Sequence, residues 1–315
     1  VSGQTSDTST TVTVDFDPPA VTGPIYGGAT SVSGTSASPV GTTITVYVDG
    51  VSVGTTTVQA GGDWTVTGVG PLVAGESITA TAGTGDAMSA ASAAVIVTPN
   101  APTINGPLTE GDTAVTGTST APDGSTVTVY VDGVPYTGTV TGGTYSVPVP
   151  ALDGGDEVYA TVTVSGQTSD TSTTVTVDFD PPTVNGPIYA GATSVPGTST
   201  SPAGTTITVY VGGVAVGTTT VQAGGTWTIT GVGPLTAGDS VTATAGTGDA
   251  ISAISAAVIV TPNAPTVNGP LTEGDTVVTG ASDAPDGSTV TVYVDGVPYT
   301  GIVTGGAYSV PVPSL

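Results

Sequence analysis

The stretch T-T-I-T-V-Y-V-D-G-V-S-V-G-T-T-T-V-Q, residues 42–59, decides the fold. Thr and Tyr alternate with Ile and Val at a period of two, the spacing at which a strand buries one face and wets the other. Between the two runs sits Asp49-Gly50, a pair suited to the two positive φ angles of a type I′ hairpin turn. A later copy carries Gly212-Gly213 there, which suits a turn better than a ligand role for Asp49. Similar short runs follow at D-W-T-V-T-G-V (63–69), E-S-I-T-A-T-A (76–82) and S-A-A-V-I-V-T (92–98), each set off by Gly, Pro or Asp. No helical periodicity competes with them. Strands at spacings of about 8 to 12 residues within a unit of about 80 predict an all-β fold, a seven-stranded, antiparallel immunoglobulin-like sandwich.

The unit recurs. Residues 1–152 and 164–315 align without a gap at a spacing of 163, with 130 of 152 positions identical. Inside each period lies a weaker repeat: V-T-G-P at 21–24 returns as I-N-G-P at 104–107, and V-Y-V-D-G-V at 46–51 returns at 129–134. The order is therefore A-B-A-B, with modules at 18–99, 100–180 and 181–262 and an incomplete B module at 263–315. Residues 1–17 match 164–180 and are expected to be the last strand of a preceding B module. The stretch absent from the final module corresponds to 153–163, so the sequence reads as a window on a longer array.

Composition excludes much. Lys, Arg, His and Cys are all absent, and 24 Asp and Glu residues give a net charge of -24. Such a surface offers no basic patch to nucleic acid or an anionic membrane. It has no thiol, no Cys/His zinc site and no Ser-His-Asp triad. A chain without Lys or Arg gives trypsin-like proteases nothing to cut, a trait suited to the outside of the cell. No apolar run is long enough to span a bilayer, and there is neither an initiator Met nor a signal sequence. Disorder is countered by 37% hydrophobic residues in regular alternation. No N-x-S/T sequon is present.

Trp64 and Trp227 each begin a strand after a Gly-Gly turn, and Tyr145 and Tyr308 hold the matching place in the B modules. One large ring per thin sandwich reads as a core anchor. With these residues placed, the sequence resembles the bacterial Ig-like repeats of large secreted surface adhesins and biofilm-associated proteins. The likeness is carried by a T-V-Y-V-D-G-V-P-V-G-like hairpin, a G-G-(D/T)-W strand start, a P-L-x-A-G-x-S connection and a T-A-T-A strand, over 46–82 and again over 209–245. It extends to every module. The resemblance implies an extracellular or cell-surface protein in which such modules serve as spacers or as binders.

Carboxylates are the only strongly polar chemistry available. Tracing the strand order gathers Glu110, Asp112, Asp132, Asp153, Asp156 and Glu157 at the base of the B module, followed by the linker pair Asp178 and Asp180. The top of the next A module adds Asp249, and Asp86 holds the same place in the first A module, beside the linker pair Asp15 and Asp17. Carboxylates crowded without a cationic side chain repel one another, and a calcium ion, which takes six to eight oxygens, would relieve that repulsion and stiffen a joint. The D-x-D-P-P linkers at 15–19 and 178–182 also resemble calcium-binding linkers of adhesins. Calcium at the B-to-A junctions is therefore expected, with Asp15, Asp17, Asp86, Asp153, Asp156, Glu157, Asp178, Asp180 and Asp249 as ligands. Against it stands ordinary turn chemistry, since Asp beside Pro and Gly is common in loops.

Catalysis is not expected: Asp7-Thr8-Ser9 faintly echoes an aspartic-protease signature, but it lies in a polar loop, and a near-identical repeat has no singular cleft. Thr alternation as in T-T-V-T-V-D would also suit an ice-binding ladder, though Thr is a good outward strand residue in any sheet. The expected function is structural, a stalk or filament of a large surface adhesin, with reach and stiffness as its mechanism. Two other readings stand beside it: a filament subunit completed by strand exchange between chains, and a glycan- or receptor-binding module. The expected partners are neighbouring modules or identical chains, with no nucleic acid and no membrane insertion. Any surface ligand would be met by domains elsewhere.

Overall fold

The computed structural model describes residues 15–85, 87–248 and 250–315. Residues 1–14, read from sequence as the end of a preceding B module, lie outside the described residues. No helix occurs among the described residues, so none there is long and apolar enough to cross a membrane. The chain divides into two compact units. One comprises Val1–Gly106, Thr113–Pro150 and Glu157–Val175, the first A module and the body of the first B module. The other comprises Pro107–Asp112, Ala151–Asp156 and Thr176–Leu315, which is the base of that B module with the second A and B modules.

The first A module is built from β1 (Ala20–Val21), β2 (Ser31–Thr35), β3 (Thr43–Val48), β4 (Val51–Thr57), β5 (Asp63–Thr67), β6 (Ser77–Thr84), β7 (Ala87–Met88) and β8 (Val95–Ile96). Two antiparallel sheets face each other. One has the order β1-β2-β5, and the other has β4-β3-β6 with β7 and β8 both on the far edge of β6. The hairpin quoted from sequence is β3–β4, and its turn residues Asp49 and Gly50 take φ of 49° and 80°, as the type I′ geometry requires. Gly212 in the second copy takes 57°. Period-two burial follows: Ile44 and Val46 of β3, Val32 of β2, Trp64 and Val66 of β5, and Ile78 and Ala80 of β6 form one core, while the intervening Thr and Ser face outward.

The first B module repeats this with β9 (Thr103–Ile104), β10 (Ala114–Thr118), β11 (Thr126–Val131), β12 (Val134–Thr139), β13 (Thr144–Pro148), β14 (Glu157–Val164), β15 (Gln167–Thr168) and β16 (Val175–Thr176). Its sheets run β13-β10-β9 and β12-β11-β14-β15. The second A module has β17 (Thr183–Val184), β18 (Ser194–Thr198), β19 (Thr206–Val211), β20 (Val214–Thr220), β21 (Thr226–Thr230), β22 (Ser240–Thr247), β23 (Ala250–Ile251) and β24 (Val258–Ile259). The second B module has β25 (Thr266–Val267), β26 (Val277–Ala281), β27 (Thr289–Val294), β28 (Val297–Thr304) and β29 (Ala307–Pro311), joined in one sheet of order β25-β26-β29-β28-β27. Its β27 pairs only with β28 among the described residues, and Tyr293 on it is 68% exposed. The equivalent Tyr130 of β11 instead stacks on Tyr159 of β14, with ring centroids 4.8 Å apart.

The anchoring rings sit where the sequence pattern puts them. Trp64 is 1% and Trp227 0% exposed. Each lies across a glycine of the neighbouring strand: a Cβ on Gly34 would come within 2.2 Å of Trp64 Cζ2, and one on Gly197 within 2.0 Å of Trp227 Cζ2. In the B modules Tyr145 and Tyr308 cross Gly117 and Gly280 in the same way. Their hydroxyls donate to the carbonyls of Thr103 at 2.7 Å and Thr266 at 2.9 Å. Burial pushes the Tyr145 hydroxyl up to about 12. The indole N–H groups of Trp64 and Trp227 are buried without a hydrogen-bond partner.

One device was not visible as a strand pattern. The run 92–98 is strand only at Val95–Ile96, because Ser89 and Ser92 clamp the middle of the β6 edge with their side chains. Ala80 N donates to Ser92 Oγ at 3.0 Å and Ala82 N to Ser89 Oγ at 2.9 Å. The serine backbone N–H groups return bonds to the Ala80 and Ala82 carbonyls, both at 2.8 Å. Ser169 and Ser172 do the same for Val162 and Ala160, and Ser252 and Ser255 for Ala245 and Ala243. Hydroxyl oxygens thus satisfy strand donors where no carbonyl is in register. Ser172→Ala would leave the Ala160 N–H buried without an acceptor, at a cost of about 1–3 kcal/mol. Faster exchange of that amide, with a lower denaturation midpoint for the first B module, is the expected result. An unchanged midpoint would remove the clamp from the stability account.

Candidate functional site: the module joints

The joints differ by type because the A and B modules carry different residues at aligned positions. At the A-to-B joint of the first unit, Asn100 of the V-T-P-N linker donates from Nδ2 to the Gly27 carbonyl at 3.0 Å and to Thr120 Oγ1 at 3.3 Å. Tyr26 donates its hydroxyl to Asp170 Oδ2 at 3.3 Å. The second unit holds the equivalent joint, where Asn263 donates from its backbone N to Asp283 Oδ1 at 2.9 Å. Its Nδ2 donates to Asp283 Oδ2 at 2.6 Å and to the Ala190 carbonyl at 3.1 Å.

The B-to-A joint, wholly inside the second unit, is built on a carboxylate. Glu110 stands where the A module has Gly27. Its backbone N–H donates to the Asp178 carbonyl at 2.9 Å, and Asp178 N donates to the Leu108 carbonyl at 2.8 Å, which lays the linker along the base loop. The Glu110 side chain then reaches forward: Oε2 accepts from Asp180 N at 3.1 Å and from Ser201 Oγ of the next module at 2.9 Å. Ser201 is 3% exposed. Two donors on one carboxylate oxygen are charge-assisted bonds, stronger than neutral ones.

Beside this polar contact lies an apolar one. Phe179, where the other linker has Pro99, is 5% exposed and joins the core of the second A module with Val184, Ile188 and Trp227. It also covers Gly154 of the B-module base so closely that a Cβ there would come within 2.2 Å of Phe179 Cδ1. The A module has Ala74 at that position, beside a linker without the ring. In the preceding linker Phe16 is half-buried against the first A core.

The carboxylates named from sequence are distributed as follows. Asp178 and Asp180 contact the 107–112 loop through their backbone, Asp178 with Leu108 and Glu110 and Asp180 with Glu110 Oε2. Asp153 and Asp156 share one loop, where Asp156 Oδ2 accepts from Asp153 N at 2.9 Å. Glu157 begins β14, and its N–H donates to Asp132 Oδ1 at 2.9 Å. Asp15 and Asp17 are exposed on the linker before the first A module. Asp86 and Asp249 lie outside the described residues. Among the described residues no three carboxylates converge closely enough to hold a metal ion. The oxygens of Asp112 and Asp156 instead close turns, and Glu110 holds its contact with Asp180 and Ser201. The triplet Asp7-Thr8-Ser9 is outside the described residues, but its repeat at 170–172 is described. There the Ser172 hydroxyl is committed to the clamp and donates to the Thr173 carbonyl at 3.0 Å.

Sequence reasoning named Glu110 only as one of many base acids and passed over Gly154, Phe179 and Ser201. The available signal was the A-to-B alignment itself, in which Glu, Gly and Phe replace Gly27, Ala74 and Pro99 together.

No family model matches the chain, and no curated protein matches it. Among solved structures it is similar to the BSP domain of a biofilm associated protein, at 14% identity over 78% of this chain and 66% of that chain, with a TM-score of 0.25. It is also similar to the central fibronectin-III array of RIM-binding protein, at 18% identity over 79% of this chain and 99% of that one, with a TM-score of 0.22. For a two-domain fibronectin type-III segment of chicken tenascin the values are 17%, 52%, 98% and 0.37. TM-scores below 0.5 carry no weight in the fold assignment, which rests on strand order and register. By those, the chain is a tandem array of antiparallel, immunoglobulin-like β-sandwiches.

Proposed function

We propose that this array is a stalk of an extracellular or cell-surface protein, a spacer that sets the reach and stiffness of whatever it carries. The observation that supports it most is the Glu110–Ser201 contact together with the burial of Phe179, because a linker that is itself bonded and packed restrains bending. The composition agrees: repeated modules without a basic group or a thiol suit a durable, soluble spacer outside the cell.

Small-angle scattering of the full chain tests the reading. An extended particle gaining roughly 35 to 45 Å per module is expected from strands of six to eight residues plus their loops. Glu110→Ala should shorten the mean maximum dimension by freeing one joint while each module stays folded. The same measurement in calcium and then in excess chelator tests the calcium expectation on Asp178 and Asp180. Stiffness carried by Glu110 and Phe179 predicts no change on chelation. A compact particle in all conditions would overturn the stalk.

A further inference from the structure

Asn105, Asn185 and Asn268 each precede a glycine, in an N-G-P turn just past the first strand of their modules. All three, with the glycines that follow them, are exposed. Each backbone N–H is tied to the neighbouring strand, Asn105 N to the Thr116 carbonyl, Asn185 N to the Pro196 carbonyl and Asn268 N to the Thr279 carbonyl, all at 2.9 Å. The side chains differ. Asn105 Nδ2 donates to Thr116 Oγ1 and Asn268 Nδ2 to Thr279 Oγ1, both at 3.2 Å, which turns each carboxamide onto the neighbouring strand. Opposite Asn185 stands Pro196, which has no hydroxyl, and among the described residues the Asn185 carboxamide has no hydrogen-bond partner. Packing keeps the glycine after it, since a Cβ on Gly186 would come within 3.1 Å of Val258 Cγ1.

We propose that Asn185 is a site of spontaneous deamidation, the one of these three asparagines whose carboxamide is free to react with the next backbone nitrogen. The Gly186 N–H gives its proton to water or hydroxide, and the nitrogen attacks Asn185 Cγ. The new C–N bond closes a succinimide ring as Nδ2 takes up a proton and departs as ammonia. Water then opens the ring at either imide carbonyl, leaving aspartate or isoaspartate, so the sum is carboxamide plus water to carboxylate plus ammonia. Glycine, without a Cβ, leaves its nitrogen open to that attack. The Gly186 N–H donates to no described residue. At Asn105 and Asn268 the same attack must first break the bond to a threonine hydroxyl. Either product adds a carboxylate to a chain already at a net charge of -24. Isoaspartate also lengthens the main chain by a methylene beside the glycine that packs on Val258, so the adjoining strand Thr183–Val184 loosens as the chain ages. The site is independent of the stalk reading.

The test incubates the full chain at mildly alkaline pH, digests it with pepsin in acid and maps it by mass spectrometry, where the peptides around the three asparagines differ in sequence and are read separately. The chain unfolded in urea is the reference, in which the three sites should convert at a common rate. In the folded chain Asn185 should convert about threefold or more faster than Asn105 and Asn268, the scale of one neutral hydrogen bond. Pro196→Thr should supply the missing hydroxyl and slow Asn185 to the rate of the other two. Thr116→Val should bring Asn105 up to the rate of Asn185. Variants are compared only where circular dichroism matches the parent, and the comparison within the parent chain stands without them. Equal rates in the folded chain, or conversion led by Asn105 or Asn268, would overturn the proposal. So would an Asn185 that stays intact when folded and converts when unfolded, because the fold would then be holding Gly186 N away from Cγ.

Discussion

Trp227→Ala should lower the stability of the second A module by about 3–5 kcal/mol, the range for removing a large buried ring. Trp227 is fully buried, and the opposing strand gives it a glycine, Gly197, whose missing Cβ makes the space the ring fills. Deleting the ring leaves a cavity that Gly197 cannot refill. The indole N–H has no partner, so the loss is one of packing alone. Tyr145→Phe in the B module should cost only about 1 kcal/mol, because the ring stays and one bond to the Thr103 carbonyl goes. The measurement is convenient because the chain has two tryptophans. In Trp227→Ala the fluorescence reports the first A module through Trp64 and should keep its midpoint, while circular dichroism gains an earlier transition. A single unchanged transition would mean that the ring is not the anchor.

The hairpin at 42–59 was legible because alternation and turn chemistry are local properties, and β3 and β4 with Asp49 and Gly50 at positive φ follow from them. Trp64 was legible as an anchor for the same reason. Its glycine seat was not, because Gly34 is far from Trp64 in sequence and only the register of β2 with β5 brings them together, Gly34 opposite Trp64. The serine clamp escaped because S-x-x-S reads as polar loop; only burial against β6 turns two hydroxyls into strand acceptors. At the joints, charge counting singled out the acids of the B module but not their partners. It could not show that backbone donors already satisfy oxygens of Asp112 and Asp156 within their own loops, and of Asp132 from the start of β14. Net repulsion between carboxylates was the sequence-level argument for calcium. Orientation of single oxygens toward N–H and O–H groups is a tertiary property.

Phe179→Ala should both destabilise the second A module and loosen its joint, with a cost of about 3–5 kcal/mol on the module. The ring is part of that module's core although it belongs to the linker, so bending the joint draws it out of apolar contact. This couples stiffness to folding: the linker cannot swing freely while the sandwich beyond it stays fully packed. Gly154→Ala approaches the same contact from the other side. Its Cβ would fall 2.2 Å from Phe179 Cδ1 against a ring held by the core, so one side must move. Each change alone should lower the denaturation midpoint of the second A module. Combining Gly154→Ala with Phe179→Leu, which trims the ring, should cost less than the sum of the two singles, because contacting residues are not additive. Additivity would mean that ring and glycine are independent and that the joint is held by Glu110 alone. Coupling would place the stiffness of the B-to-A joint in the packing of Phe179, where neither salt nor chelator should reach it.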